Sequence, residues 1–131
     1  MLYHDYQFCA QQVANYVEAG QYSDALKVLQ SLIDSDISDL DKSMMCINMG
    51  VVYEKMQQVD QVLEWYDRGI AYEAVYLRFF VAESKANFLY NSKRYKECTR
   101  IYEELLPQSF LTEADKLRLR NYIESAQRAM D

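Results

Sequence analysis

Three stretches of the chain superimpose without gaps: "YVEAGQYSDALKVLQSLI" from Tyr16, "YEKMQQVDQVLEWYDRGI" from Tyr53 and "LYNSKRYKECTRIYEELL" from Leu89. Five columns agree in size as well as polarity. They are Tyr16, Tyr53, Leu89; Tyr22, Val59, Tyr95; Ala25, Val62, Cys98; Leu29, Tyr66, Tyr102; and Ile33, Ile70, Leu106. The fourth and fifth columns lie four and eight residues beyond the small third column, so the three share one face of a helix. The first column belongs to a preceding helix, and a short break separates the two. Each unit therefore reads as helix, turn, helix, and an internal repeat of this kind constrains the fold more than any other feature of the chain.

The units start 37 and 36 residues apart, a little above the ~34 residues of the commonest helix-turn-helix repeat. Their pattern resembles the tetratricopeptide repeat (TPR) family, in which a small residue of the first helix faces a small residue of the second. Here those pairs are Val13 with Ala25, Gly50 with Val62 and Ala86 with Cys98, and "INMGVVYEKM" in the middle unit matches best. The chain departs from the family where Cys9, Cys46 and Ala82 replace a Trp, where only Gly20 keeps the inter-helix glycine, and where no unit ends in Pro. The resemblance implies an all-α fold: a right-handed superhelical α-solenoid of antiparallel helix pairs, about seven helices in one domain. Repeat 1 is expected over about 6–39, repeat 2 over about 43–76, repeat 3 over about 79–112, and a capping helix over about 113–130.

Composition agrees with helices. Three Gly and one Pro in 131 residues leave few turn formers, and 50% hydrophobic residues suffice for a core. Helices are expected over about 4–18, 22–34, 42–56, 59–73, 75–91 and 95–106, with Gly20 breaking the first pair and Pro107 stopping the sixth helix. The Asp- and Ser-rich "DSDISDLD" reads as the longest connection, with Asp41 or a neighbour capping the third helix. Its carboxylates lack the glycine and distal glutamate of a calcium loop. Beyond Pro107, Thr112 and Asp115 form a capping-box pattern. Leu119, Tyr122, Ile123, Ala126 and Met130 then follow on one face, opposite Arg118, Arg120, Glu124 and Arg128. Trp65 is expected to cover the joint between the second and third units. At the other end Leu2, Tyr3, Tyr6 and Phe8 either cover themselves or form a homodimer or partner surface.

Several functional classes are disfavoured. His4 is the one histidine, no nucleophile, base and orienting group can be assembled around it, and no Gly-rich phosphate loop or run of metal ligands occurs. The expectation is a non-enzymatic chain without metal or cofactor. Cys9, Cys46 and Cys98 fall at small or buried pattern positions and read as core residues. Fourteen basic against twenty acidic residues, a net charge of −6, argue against a nucleic-acid partner. The basic "KRYK" at Lys93, Arg94 and Lys96 reads as a solvated turn. No long apolar run and no signal-like N-terminus is present, so a cytoplasmic protein without a membrane partner is expected.

A protein or peptide partner remains. The family resemblance implies that the first helix of each unit lines a concave groove. On those helices the residues one turn from the core stripe are Ala10, Ala14 and Val17; Met44, Ile47, Asn48, Val51 and Glu54; and Phe80, Glu83, Ser84, Asn87 and Tyr90. TPR domains that clamp a chaperone's terminal carboxylate use Lys, Asn and Arg at set places there. Only Asn48 matches, while Ala10, Ala14, Phe80 and Ser84 stand at the others, which argues against that ligand. Met44, Ile47, Asn48, Val51, Glu54, Phe80, Glu83, Asn87 and Tyr90 are the candidates to hold an amphipathic helix or extended segment. Two alternatives are a small acidic chaperone resembling the class II chaperones of type III secretion, and a subunit of a larger assembly that binds through its ends or convex face.

Overall fold

The computed structural model describes residues 3–131. The side chains of Tyr3 and His4, and all of Met1 and Leu2, lie outside the described residues, so the expectations placed on them go no further. Among the described residues seven α-helices follow one another: α1 Tyr3–Glu18, α2 Tyr22–Ile33, α3 Asp39–Lys55, α4 Val59–Ala74, α5 Phe80–Asn91, α6 Tyr95–Leu105 and α7 Glu113–Met130. The described residues contain no strand. The fold is all-α.

The breaks inside the three pairs α1–α2, α3–α4 and α5–α6 are built alike. Gly20, Gln57 and Lys93 each adopt a left-handed backbone, with φ of 75°, 59° and 62°. In each break the following N–H reaches back five residues, Gln21 to the Tyr16 carbonyl, Gln58 to Tyr53 and Arg94 to Leu89, at 2.8, 3.0 and 2.8 Å. The left-handed residue itself donates to Val17, Glu54 or Tyr90. This pair of bonds closes a helix with a Schellman motif, satisfying carbonyls that the helix end would otherwise orphan. The next helix starts at once, because the carbonyls of Gln21, Gln58 and Arg94 accept from Ala25, Val62 and Cys98. The three turns thus share one hydrogen-bond pattern at the spacing of the sequence repeat, although glycine occupies only the first.

The repeat columns fill the interior. Ala25, Val62 and Cys98 are completely buried, and Leu29, Tyr66 and Tyr102 nearly so. The core runs along the chain as three successive clusters, one under α1–α3, one joining α3, α4 and α5, and one under α5–α7. Each helix packs on its chain neighbours, most extensively α3 on α4, and α3 also meets α5. Burial raises the Cys46 thiol to about 11 and shifts Cys98 upward, so both thiols stay protonated packing groups at neutral pH.

Some expectations change. α3 begins at Asp39 rather than 42, because the Ser38 hydroxyl accepts from the Asp41 N–H and caps the helix three residues earlier than Asp41 would. α5 begins at Phe80 rather than 75. Residues 75–79 form a loop in which Leu77 has φ 55° and, with Val75, is largely exposed, at 63% and 75%. Trp65 is buried within the cluster of α1–α3 and not at the second joint, its ring covered by the Arg68 guanidinium 4.4 Å from the centroid. α6 ends two residues before Pro107, and the Thr112–Asp115 capping box opens α7. On α7, Leu119 and Ala126 are buried and Ile123 half-buried, whereas Tyr122 and Met130 remain exposed. At the N-terminal end Tyr6 and Cys9 pack on the first cluster and Phe8 stays exposed.

A side chain with a Cβ pays about 1–2 kcal/mol to adopt the left-handed conformation, part of which glycine's larger unfolded-state entropy returns. Gln57→Gly and Lys93→Gly are therefore expected to stabilise the chain by about 0.5–1 kcal/mol each, and Gly20→Ala to destabilise it by about 1 kcal/mol, in urea unfolding. A loss of stability in both glycine variants would show that these turns are not under strain.

Candidate functional site

The start of α5 is set by a residue of α4. Glu73 is buried at 2% exposure, and its carboxylate accepts from the backbone N–H groups of Val81, at 2.9 and 3.1 Å, and Ala82, at 3.1 Å. It fills the role of an N-cap from outside the helix, with its charge at the positive end of the α5 dipole. Burial pushes the carboxyl pKa up, and the backbone donors pull against that. This cap holds Phe80, Glu83, Ser84 and Asn87 in the first turns of α5. The far side of α5 is tied to α7 by Arg118, which bonds Glu83 at 2.6 Å and Asp115 at 3.2 Å and lies over the Phe79 ring.

Between α3, α5, α6 and α7 lies a groove of about 690 Å³ lined by Met44, Ile47, Phe80, Glu83, Ser84, Asn87, Tyr90, Tyr102, Tyr122 and Ser125. Met44 and Phe80, which line it, are 40% and 50% exposed. Tyr102 stacks obliquely on Tyr122 with ring centroids 5.3 Å apart, and Tyr90 meets Tyr95 edge-on at 5.3 Å. Burial, followed by the nearby Cys98, Glu83 and Tyr122, keeps the Tyr102 phenol protonated well above its ordinary range. The Ser84 hydroxyl is committed to the Phe80 carbonyl, whereas the Asn87 amide and the Ser125 hydroxyl form no hydrogen bond among the described residues. The groove offers aromatic and aliphatic area with a few free polar groups, a surface suited to binding.

Six of the nine residues singled out from the sequence, Met44, Ile47, Phe80, Glu83, Asn87 and Tyr90, come together in this groove. Asn48 and Val51 line a second recess, between α1 and α3, with Ala10, Ala14, Val17 and Glu18. Glu54 lies in a third, smaller recess with Val51, Ile47, Asn87 and Tyr66, where burial and the Glu54 carboxylate raise the Tyr66 phenol to about 12. The recesses adjoin through shared residues. Tyr102, Tyr122 and Ser125 were not foreseen. Tyr102 reads as core from its column, and Tyr122 and Ser125 enter only because α7 folds back beside α5 and α6; the one hint in the sequence is Tyr122 between Leu119 and Ala126 at the edge of the apolar stripe.

A family model described as a domain of unknown function (DUF6340) matches residues 11–108. The chain belongs to that family. No curated protein and no solved structure matches it. The DUF6340 match covers both walls of the groove on α3 and α5 together with Tyr102, and it ends before α7, so Tyr122 and Ser125 are additions from outside the matched segment.

Because burial raises the folded-state pKa of Glu73, the folded chain holds its proton more tightly than the unfolded chain does. The resulting stability is fully present below the unfolded pKa and is lost as pH rises through the folded one. Glu73→Gln keeps an acceptor without an ionisable group, so the unfolding free energy of the wild type relative to this variant is expected to fall as pH rises above the ordinary carboxylate range. Glu73→Leu, which strands the Val81 and Ala82 N–H groups, should cost about 1–3 kcal/mol. A wild-type advantage over Glu73→Gln that is flat or grows with pH would contradict this reading of the cap.

Proposed function

We propose that the chain is a non-enzymatic protein-protein interaction module that holds a peptide or amphipathic helix of a partner in the groove between α3, α5 and α7. The observation that carries this reading is the groove itself, where Met44 and Phe80 present exposed apolar surface beside the free Asn87 amide and the Tyr90 ring. A volume of about 690 Å³ accommodates the anchor side chains of a docked segment. The proposal includes the finer architecture, a TPR-like right-handed solenoid of antiparallel pairs with α7 as its cap. Three observations support it: neighbour-on-neighbour helix packing, the common turn at Gly20, Gln57 and Lys93, and the burial of all three small-residue pairs. It also includes a cytoplasmic setting. Three free cysteines suit a reducing compartment, and no helix among the described residues is long and apolar enough to cross a membrane.

A second reading, a subunit docking through its ends or outer face, draws on the exposed Val75, Tyr76 and Leu77 of the α4–α5 loop and on Phe8, where a homodimer contact would form. A chaperone resembling those of type III secretion would use the groove and share the first reading's test.

Affinity purification from native cells with the wild type and with Met44→Glu, Phe80→Glu separates the two readings, once circular dichroism shows equal helix content. Recovery of a partner by the wild type and its loss with the double variant is the expected result. A partner retained by both moves the binding surface out of the groove.

A further inference from the structure

The three recesses form one lane across α1, α3, α5 and α7, the α1–α3 recess joined to the small Glu54 recess at Val51 and the Glu54 recess to the main groove at Ile47, Ser84 and Asn87. Its apolar character is uneven. The α5–α7 end is aromatic, with Phe80, Tyr90, Tyr102 and Tyr122, and the α1 end is small and aliphatic, with Ala10, Ala14 and Val17. The charged groups that line it have one sign, and two guanidiniums stand at its aromatic end, Arg78 5.6 Å from the Phe80 ring centroid and Arg118 on Glu83. Among the described residues Glu18, Glu54 and Glu83 line the lane, and no Lys, Arg or His does. Glu83 is balanced by Arg118, whereas Glu18 and Glu54 have no ion pair among the described residues. A concave surface with unbalanced charge of one sign concentrates ligands of the opposite sign and repels others, and the net charge of −6 acts in the same direction.

We propose that the lane takes a basic amphipathic helix from another protein. The bulky apolar residues of the helix would seat against Phe80, Met44 and Tyr122, and its Lys or Arg residues would face Glu54 and Glu18. This rests on the groove reading above and adds the charge and polarity of the occupant. Apolar area anchors the segment, and the two carboxylates select its charge and set its direction.

Two synthetic 18-residue helical peptides with the same leucine stripe test it, one with lysine and one with glutamate at every polar position, titrated against the full chain by fluorescence anisotropy. The Leu/Lys peptide is expected to bind at least about tenfold more tightly than the Leu/Glu peptide, and to weaken several-fold between about 0.05 and about 0.5 M salt. Glu18→Gln, Glu54→Gln should weaken it about two- to tenfold, the scale of two exposed ion pairs. Glu103→Gln, Glu104→Gln on the exposed face of α6, a control for general acidity, should leave it unchanged. Met44→Ala, Phe80→Ala should weaken both peptides. Equal binding of both peptides with loss in the Met44, Phe80 variant overturns the charge selection and leaves the groove standing. Lysine preference that responds to Glu103 and Glu104 but not to Glu18 and Glu54 overturns the lane. Binding indifferent to Met44 and Phe80 overturns the groove reading as well, and no binding of the Leu/Lys peptide overturns the proposal.

Discussion

At Gly50 the backbone of α3 comes so close to α4 that a Cβ placed there would lie 2.5 Å from Cε1 of the buried Tyr66 ring. At Gly69, on α4, a Cβ would meet the Cβ of Cys46 on α3 and Cγ1 of Val81 on α5, both at 2.9 Å. Two missing side chains therefore let α4 sit tightly on α3 and let α5 close against both. Close-packed interiors absorb even one extra carbon poorly, so these positions set the distances between the three central helices. The direct contact of α3 with α5 is the consequence that matters for the site. It puts Met44 and Ile47 beside Phe80, Ser84 and Asn87.

The rest of the groove is fixed from its two ends. A buried carboxylate from α4 caps α5 and decides which residue is its first, which in turn decides the face on which Phe80, Glu83 and Asn87 appear. An ion pair from α7 then ties the same helix on its other side, bringing Tyr122 against Tyr102. Neither Glu73 nor Arg118 lines the groove, yet both orient it. Buried Glu73 carries a desolvation cost, and the hydrogen bonds it accepts from Val81 and Ala82 offset that cost only where α5 begins at Phe80.

The helical content and the turns between paired helices were legible because they are local. Columns at fixed offsets report which face is buried, and the break in each unit is a few residues long. The left-handed residue recurs at Gln57 and Lys93 without glycine to announce it, since the hydrogen bonds of the motif hold the backbone there. The start of α5 was hidden because its cap comes from eight residues upstream in another helix, where a glutamate looks like any solvated one. Ser38 is obscured for the opposite reason: a stretch crowded with Asp and Ser offers several capping residues, and the sequence does not rank them. Trp65 reads as buried from its helix, but the joint between the second and third units is not the one it fills, because both neighbours lie within reach of so large a ring. Six of the nine candidate groove residues meet as expected, while Tyr102, Tyr122 and Ser125 depend on where α7 lands, which no periodicity encodes.

The central claim is that a partner segment lies in the lane across α3 and α5. Photo-crosslinking with benzoylphenylalanine at Tyr90 in the groove, and separately at the exposed Lys27 of α2 and Arg100 of α6, reads it directly in the native partner complex. The account predicts a crosslinked partner from position 90 and none from positions 27 and 100. A partner captured at position 27 or 100 with none at position 90 would place the interface on the outer helices and contradict the account.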